Sequence, residues 1–216
     1  NITSVLKLNF TRKFITRIYP YSVMSSILTP VNETEPTLKI TTSSQEWCGH
    51  SISQLNFRQH QYQYKLYSYF QDEGDQSLSL DKVTLEDEIW TKIRIQPSSL
   101  PVGSIKLAPG TQFLRFNHRE FAAEEATATL EKVTDPELSA NPLYQYRVEY
   151  LDFNRILKIT FEVEFPHHIV AWEEQTQSGP GQVLTTKAKK THSISLPYWQ
   201  KNSTMDTVLR QELGLD

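Results

Sequence analysis

From Gln61 to Phe70 the chain reads QYQYKLYSYF, with Tyr62, Tyr64, Leu66 and Ser68 alternating against Gln61, Gln63 and Lys65 and Phe70 continuing the row. A period of two sorts residues onto the two sides of a strand; on a helix it would scatter them around the axis. The chain returns to this period repeatedly. Leu6, Leu8 and Phe10 alternate with polar neighbours, Phe14, Thr16 and Ile18 follow before a break at Tyr19-Pro20, and Leu38 with Ile40 and Leu55 with Phe57 make shorter runs. Further on, Ile159, Phe161, Val163 and Phe165 alternate with Thr160, Glu162 and Glu164, which predicts one buried face and one wet face.

After residue 110 the strand-like stretches are 113–117, 126–133, 144–151, 156–165, 169–176 and 184–196. The breaks are brief: Asp72-Glu73-Gly74-Asp75 in the first half, then Asp135-Pro136, Asp152-Phe153-Asn154 and Ser178-Gly179-Pro180-Gly181. Connections this short join antiparallel neighbours, because a parallel crossover needs a dozen residues or more. Two segments break the pattern. Thr84 is placed to cap a helix whose first turn holds Glu86 and Asp87, with Leu85, Ile89, Trp90 and Ile93 as its apolar stripe and Pro97 as its stop. Residues 98–110, with Pro101 and Pro109, read as a crossover loop. A second helix is expected from Ser203 to Leu213, capped by Asn202 or Ser203, with Gly214 ending it. The expected fold is mainly β (α+β): a long, curved antiparallel sheet or half-barrel, with two helices covering one face, in a single domain spanning 1–216.

Composition narrows the function. With 216 residues the chain can bury roughly 70–75% of its unfolded surface. A net charge of −3 supplies no basic footprint for nucleic acid, and Lys187-Ala188-Lys189-Lys190 is an isolated basic run read as a solvated strand face. Ten Tyr, ten Phe and four Trp suit half-buried pleated surfaces. A single cysteine excludes an internal disulfide, and no run approaches the ~20 apolar residues that span a bilayer. The start at Asn1, without a leader, is read as the product of processing or excision, with a signal or N-terminal segment upstream.

The sharpest chemical spacing is Glu46-x-Cys48-x-His50. If residues 45–51 are extended, these three side chains share a face, with Trp47 on the other. Cys48 and His50 are zinc-type ligands, and Glu46 a third, but the second ligand pair of a structural zinc site is missing. Cys48 as a nucleophile with His50 as its base is the other chemical reading; a structural cysteine beside a turn at Gly49 is the plain one. His167-His168 follows Pro166 at a strand end, where neighbours point to opposite faces, while His60, His118 and His192 stand alone. Phosphate loops, nucleophile elbows and zincin motifs are absent from the sequence. The expectation is therefore a protein without catalytic residues, metal or cofactor.

Tyr19-Pro20-Tyr21-Ser22, the stretch from Thr41 to His50, Pro197-Tyr198-Trp199 and Leu213-Gly214-Leu215 resemble an uncharacterised family of Bacteroidetes envelope proteins. These are usually predicted lipoproteins and are sometimes labelled septum formation inhibitors. The resemblance implies a location in the cell envelope, in the periplasm or as an outer-membrane lipoprotein, and carries over no functional residues. The sheet-plus-helix outline is also similar to periplasmic half-barrels that carry lipids or lipoproteins. A curved sheet closed by helices leaves room for an apolar ligand. The residues expected to line that room are Phe113, Phe116, Phe161, Phe165 and Trp172. The expected partner is a lipid or other apolar small molecule, with an envelope protein as the alternative and a structural scaffold as the rival role.

Overall fold

The computed structural model describes residues 2–32, 34–177 and 181–215. Its strands form two sheets. The first is a six-stranded meander of β1 (Val5–Thr16), β2 (Tyr19–Pro30), β3 (Lys39–Glu46), β4 (Gly49–Arg58), β5 (Gln61–Ser68) and β6 (Gln76–Asp81), every neighbour antiparallel. The second is built from β7 (Thr84–Leu85), β8 (Gly103–Ala108), β9 (Glu124–Val133), β10 (Leu143–Tyr150), β11 (Arg155–Glu162), β12 (Ile169–Gln177) and β13 (Val183–Lys189), in that order across the sheet. Among the described residues only the short β7–β8 pair is parallel. The fold is mainly β and antiparallel, as the alternation predicts, with its strands shared between two sheets and no closed barrel among the described residues.

Helix α1 (Glu86–Ile95) lies between the sheets and is buried nearly all round. On one side Ile89, Trp90 and Ile93 pack with Ala126, Tyr146, Leu157, Ile159 and Phe161 of the seven-stranded sheet. On the other, Thr91 Oγ1 meets Thr29 Oγ1 of β2 at 2.6 Å. A second cluster joins Ile27, Ile40, Leu55, Tyr62, Tyr64 and Leu66 to Phe113 and Leu114 of α2 (Thr111–Phe116). Leu8 and Phe153 touch both clusters, so the interior is continuous.

Several local expectations change. The helix expected from Thr84 begins at Glu86, because Thr84 and Leu85 pair with Leu107 and Ala108 as strand. The supposed crossover loop contains β8, and 113–117, expected as strand, is mostly α2. Phe113 and Leu114 are adjacent buried residues, which a helix on a core allows and an alternating strand does not. The break at Tyr19-Pro20 falls inside β2, the turn coming at Arg17 and Ile18. The C-terminal helix forms as a 3-10 turn (Thr204–Thr207) running into α3 (Val208–Glu212), capped by Ser203, but none of it is buried. It does not cover the sheets; α1 and α2 do. The turn expected at 178–181 lies outside the described residues except for Gly181.

Candidate functional site

The first turn of α1 carries three consecutive carboxylates into the interior, and Glu86, Asp87 and Glu88 are all buried. Burial of charge is tolerated only where partners replace water. Arg155 supplies most of them. It opens β11 in phase with Leu157, Ile159 and Phe161, so its side chain enters the same inner face and is 2% exposed. Its Nη1 and Nη2 donate to Glu86 at 2.5 and 2.7 Å, and its Nε donates to Glu174 at 2.8 Å. Tyr150 Oη adds a fourth bond, to Glu86 at 2.5 Å. Burial works against the Glu86 charge, but Arg155 and these hydrogen bonds hold its carboxyl below the ordinary value. Asp87 has no such cation. Burial pushes it up to about 6, with the Glu86 charge adding to the effect and the Thr111 N–H, donating at 2.9 Å, opposing it. Glu88 accepts from Thr37 at 2.6 Å and from Lys92 at 2.8 Å.

Besides a slot of about 30 Å³ against Glu86, Asp87 and Arg155, two larger spaces adjoin this network, one on each side of α2. The larger is a groove of about 580 Å³ where the edge strand β1 approaches β12 and β13. Phe14, Phe113, Phe116 and Trp172 give its apolar surface, with Arg12, Lys13 and Glu174 beside them. Arg12 lies 4.8 Å from the Trp172 ring centroid and 3.5 Å from Glu174, whereas Lys13 has no ion-pair partner among the described residues. The smaller space, about 140 Å³, is polar. Its floor holds the hydroxyls of Thr42, Ser44, Ser51, Ser53 and Thr111, and its mouth holds Asp72, Glu73, Arg115, His118 and Arg119. Glu73 accepts from Arg115 at 3.1 Å and stands 2.6 Å from His118 Nδ1, with Ser68 donating to its other oxygen. Burial opposes its charge, and these three neighbours together keep its carboxyl below the ordinary value.

Phe113, Phe116 and Trp172 come together in the groove. Phe161 is in the core, fully buried, and Phe165 is 79% exposed beyond the end of β11, which stops at Glu162; neither lines the groove. Residues 45–51 are not one extended strand. β3 ends at Glu46, Trp47 and Cys48 form the turn, and His50 lies in β4, so the shared face expected for Glu46, Cys48 and His50 does not form. The Glu46 carboxylate accepts from the Cys48 N–H at 2.7 Å and from Tyr69 Oη, and it pushes the exposed Cys48 thiol up, away from thiolate. A side chain at Gly49 would run into the Tyr69 ring, which accounts for glycine there. No group of three or more metal-ligating side chains occurs among the described residues, and no helix among them is long and apolar enough to cross a membrane.

His118, which stands alone in the sequence, has partners in Glu73 and Arg115, and His168 Nδ1 lies 3.1 Å from Glu162. The Glu86–Arg155 pair was the feature sequence reasoning missed. Its signal was the phase of Arg155, which falls on the buried row of β11 although it follows directly on a turn. Neither any family model, any curated protein nor any solved structure matches the chain.

Proposed function

We propose that this is a non-enzymatic binding protein of the cell envelope, and that the groove between β1, α2 and β12 takes a lipid or acyl chain with an anionic head. The observation that carries the reading is an aromatic wall beside a cation without an ion-pair partner among the described residues: Phe14, Phe113, Phe116 and Trp172 next to Lys13. A volume of about 580 Å³ is within the range of small-molecule sites, roughly 300–1,000 Å³. Arg155 and Glu174 hold its inner end rigid, which lowers the ordering cost of binding. The envelope location rests on the sequence resemblance alone.

Native mass spectrometry and lipid extraction of freshly purified protein test this directly. Co-purifying acyl lipid, or stoichiometric uptake of a fluorescent fatty acid, is the expected result. Lys13→Glu should weaken fatty-acid binding by about tenfold, the scale of a lost charge-assisted bond. A chain that neither carries nor takes up an acyl ligand sinks the proposal. A scaffolding role then becomes the better reading, and one observation favours it: α1 fills the space between the sheets, and the interior cavity of about 140 Å³ is too small and too polar for an acyl chain.

A further inference from the structure

One end of the six-stranded sheet turns its apolar residues outward. β1 and β2 meet at Arg17 and Ile18, with Arg17 in the left-handed conformation at φ 55°, and Ile15 and Ile18 are 74% and 77% exposed. At the β3–β4 turn Trp47 is 68% exposed. Register places the two turns together, since Ser22 pairs with Gln45. The Tyr19 ring stacks on Trp47 with centroids 5.8 Å apart. From there aromatic contacts continue through Tyr19–Tyr21 at 5.8 Å, Tyr21–Phe14 at 4.9 Å and Phe14–Phe116 at 5.8 Å. An unbroken run of rings therefore leads from Trp47 at the tip to Phe116 in the wall of the groove.

Large apolar side chains at the apex of tight turns lose free energy in water, and clustered ones mark a surface that is covered. The covering here must accept a convex apex, aromatic rings and positive charge. Lys13 and Arg17 flank the isoleucines, and Trp and Tyr favour the bilayer interface, where a ring meets apolar and polar surroundings at once. The acidic groups at this end offset only part of the charge. Glu46, held ionised by Tyr69 and the Cys48 N–H, answers one of the two cations, and Asp72 and Asp75 belong to the β5–β6 loop. Four strand spacings, about 19 Å, separate that loop from the β1–β2 turn, beyond the ~8 Å screening length of physiological salt.

We infer that this corner docks on a membrane surface containing anionic lipid. Ile15, Ile18 and Trp47 enter the headgroup region, and Lys13 and Arg17 meet lipid phosphates. The groove reading supplies the purpose, an amphiphile passing along the aromatic run, but the docking itself does not depend on it.

The sole cysteine provides the probe, because Cys48 is exposed at the same turn. An environment-sensitive fluorophore on Cys48 should shift to the blue with vesicles of phosphatidylcholine and phosphatidylglycerol, and brominated lipid should quench it. The double variant Ile15→Asp/Ile18→Asp should lower vesicle partitioning at least tenfold, as expected when buried aliphatic side chains return to water. Its fold should be intact, because both residues are exposed. Raised salt should weaken binding further. Flotation that detects no vesicle binding, or binding unchanged in the double variant, overturns the inference. Fatty-acid uptake measured without vesicles separates the two claims: uptake with no docking removes this inference alone, and docking with no uptake removes the groove reading alone.

Discussion

The two spaces beside α2 are made from the same short helix and differ in almost every respect. Phe113 and Phe116 face the groove, whose lining cations are Arg12 and Lys13. Thr111, Leu114 and Arg115 face the smaller cavity, whose polar groups largely bond to one another. There Ser25, Thr42 and Thr111 form a chain of hydroxyls at 2.7 and 2.6 Å, and Thr111 in turn bonds Asp87. Size alone does not separate a site from a structural void; the state of the polar groups does. In the cavity most donors and acceptors are satisfied internally, so a ligand would have to break bonds to enter. In the groove the rings pack on one another and on Arg12 and Arg155, but Lys13 has no ion-pair partner among the described residues, so an anionic ligand adds a contact there without breaking one.

The largest expected effect strikes the wall shared by both spaces. Arg155→Met removes the cation and leaves Glu86 buried beside Tyr150, a change that should cost about 3–5 kcal/mol. Chemical denaturation measures it. Loss of the Nε bond to Glu174 should also loosen the groove, so fatty-acid affinity should fall in any protein that remains folded. A cost below about 1 kcal/mol would mean that the ion pair does not hold the groove wall, and the contrast between the two spaces would lose its structural basis.

A somewhat smaller effect comes from Asp87. Its carboxyl is pushed up to about 6 in the folded protein, against an ordinary 3.8. A raised acid takes up protons more readily when folded, so the stability it contributes is complete below about pH 4 and is lost as pH rises through about 6. At about 1.4 kcal/mol for each tenfold change, the cost at pH 7 is roughly 3 kcal/mol. Asp87→Asn keeps an oxygen for the Thr111 N–H and removes the titration. It should be more stable than the native protein at pH 7, with the advantage fading towards pH 4. Glu73 and Glu86, held below their ordinary values, act with the opposite sign and lose stability as pH falls below about 4.5 in both proteins. Denaturant midpoints of the two proteins between pH 4 and pH 7 decide it; parallel curves would sink the account.

How much of this was legible depended on whether a signal was local. Alternation in β5 and β11 placed strands correctly, because burial on one face imposes a period of two within a single element. The division into two sheets was not legible, since β6 and β7 are separated by only two residues and nothing in that step marks a change of sheet. Likewise α2 is short, and its adjacent Phe113 and Leu114 looked like part of a strand until the core they face was known. Phe113, Phe116 and Trp172 were expected at a ligand site and meet in the groove, but Lys13, Arg12 and Phe14 come from a strand about a hundred residues earlier. That meeting is tertiary. Hydroxyl-rich inner faces mislead in a related way: Ser25, Thr42, Ser44, Ser51 and Ser53 are buried although their residue type suggests the wet side of a strand.

The smallest expected effect separates satisfied from unsatisfied hydroxyls on that face. Thr42 sits in the middle of the chain from Ser25 to Thr111, and replacing it with valine keeps the shape while removing a partner from each neighbour. Thr42→Val should therefore cost about 1–2 kcal/mol, the range for leaving buried polar groups unpaired. Ser44 is equally buried and lines the same cavity, yet its hydroxyl makes no hydrogen bond to another described residue. Ser44→Ala should change stability by less than about 0.5 kcal/mol, because no protein partner is stranded. Denaturant midpoints of the two variants give the comparison directly. If Ser44→Ala costs as much as Thr42→Val, the cavity's free hydroxyls are held by something other than the chain of side chains, and the cavity, not the groove, becomes the space to examine for a small polar ligand.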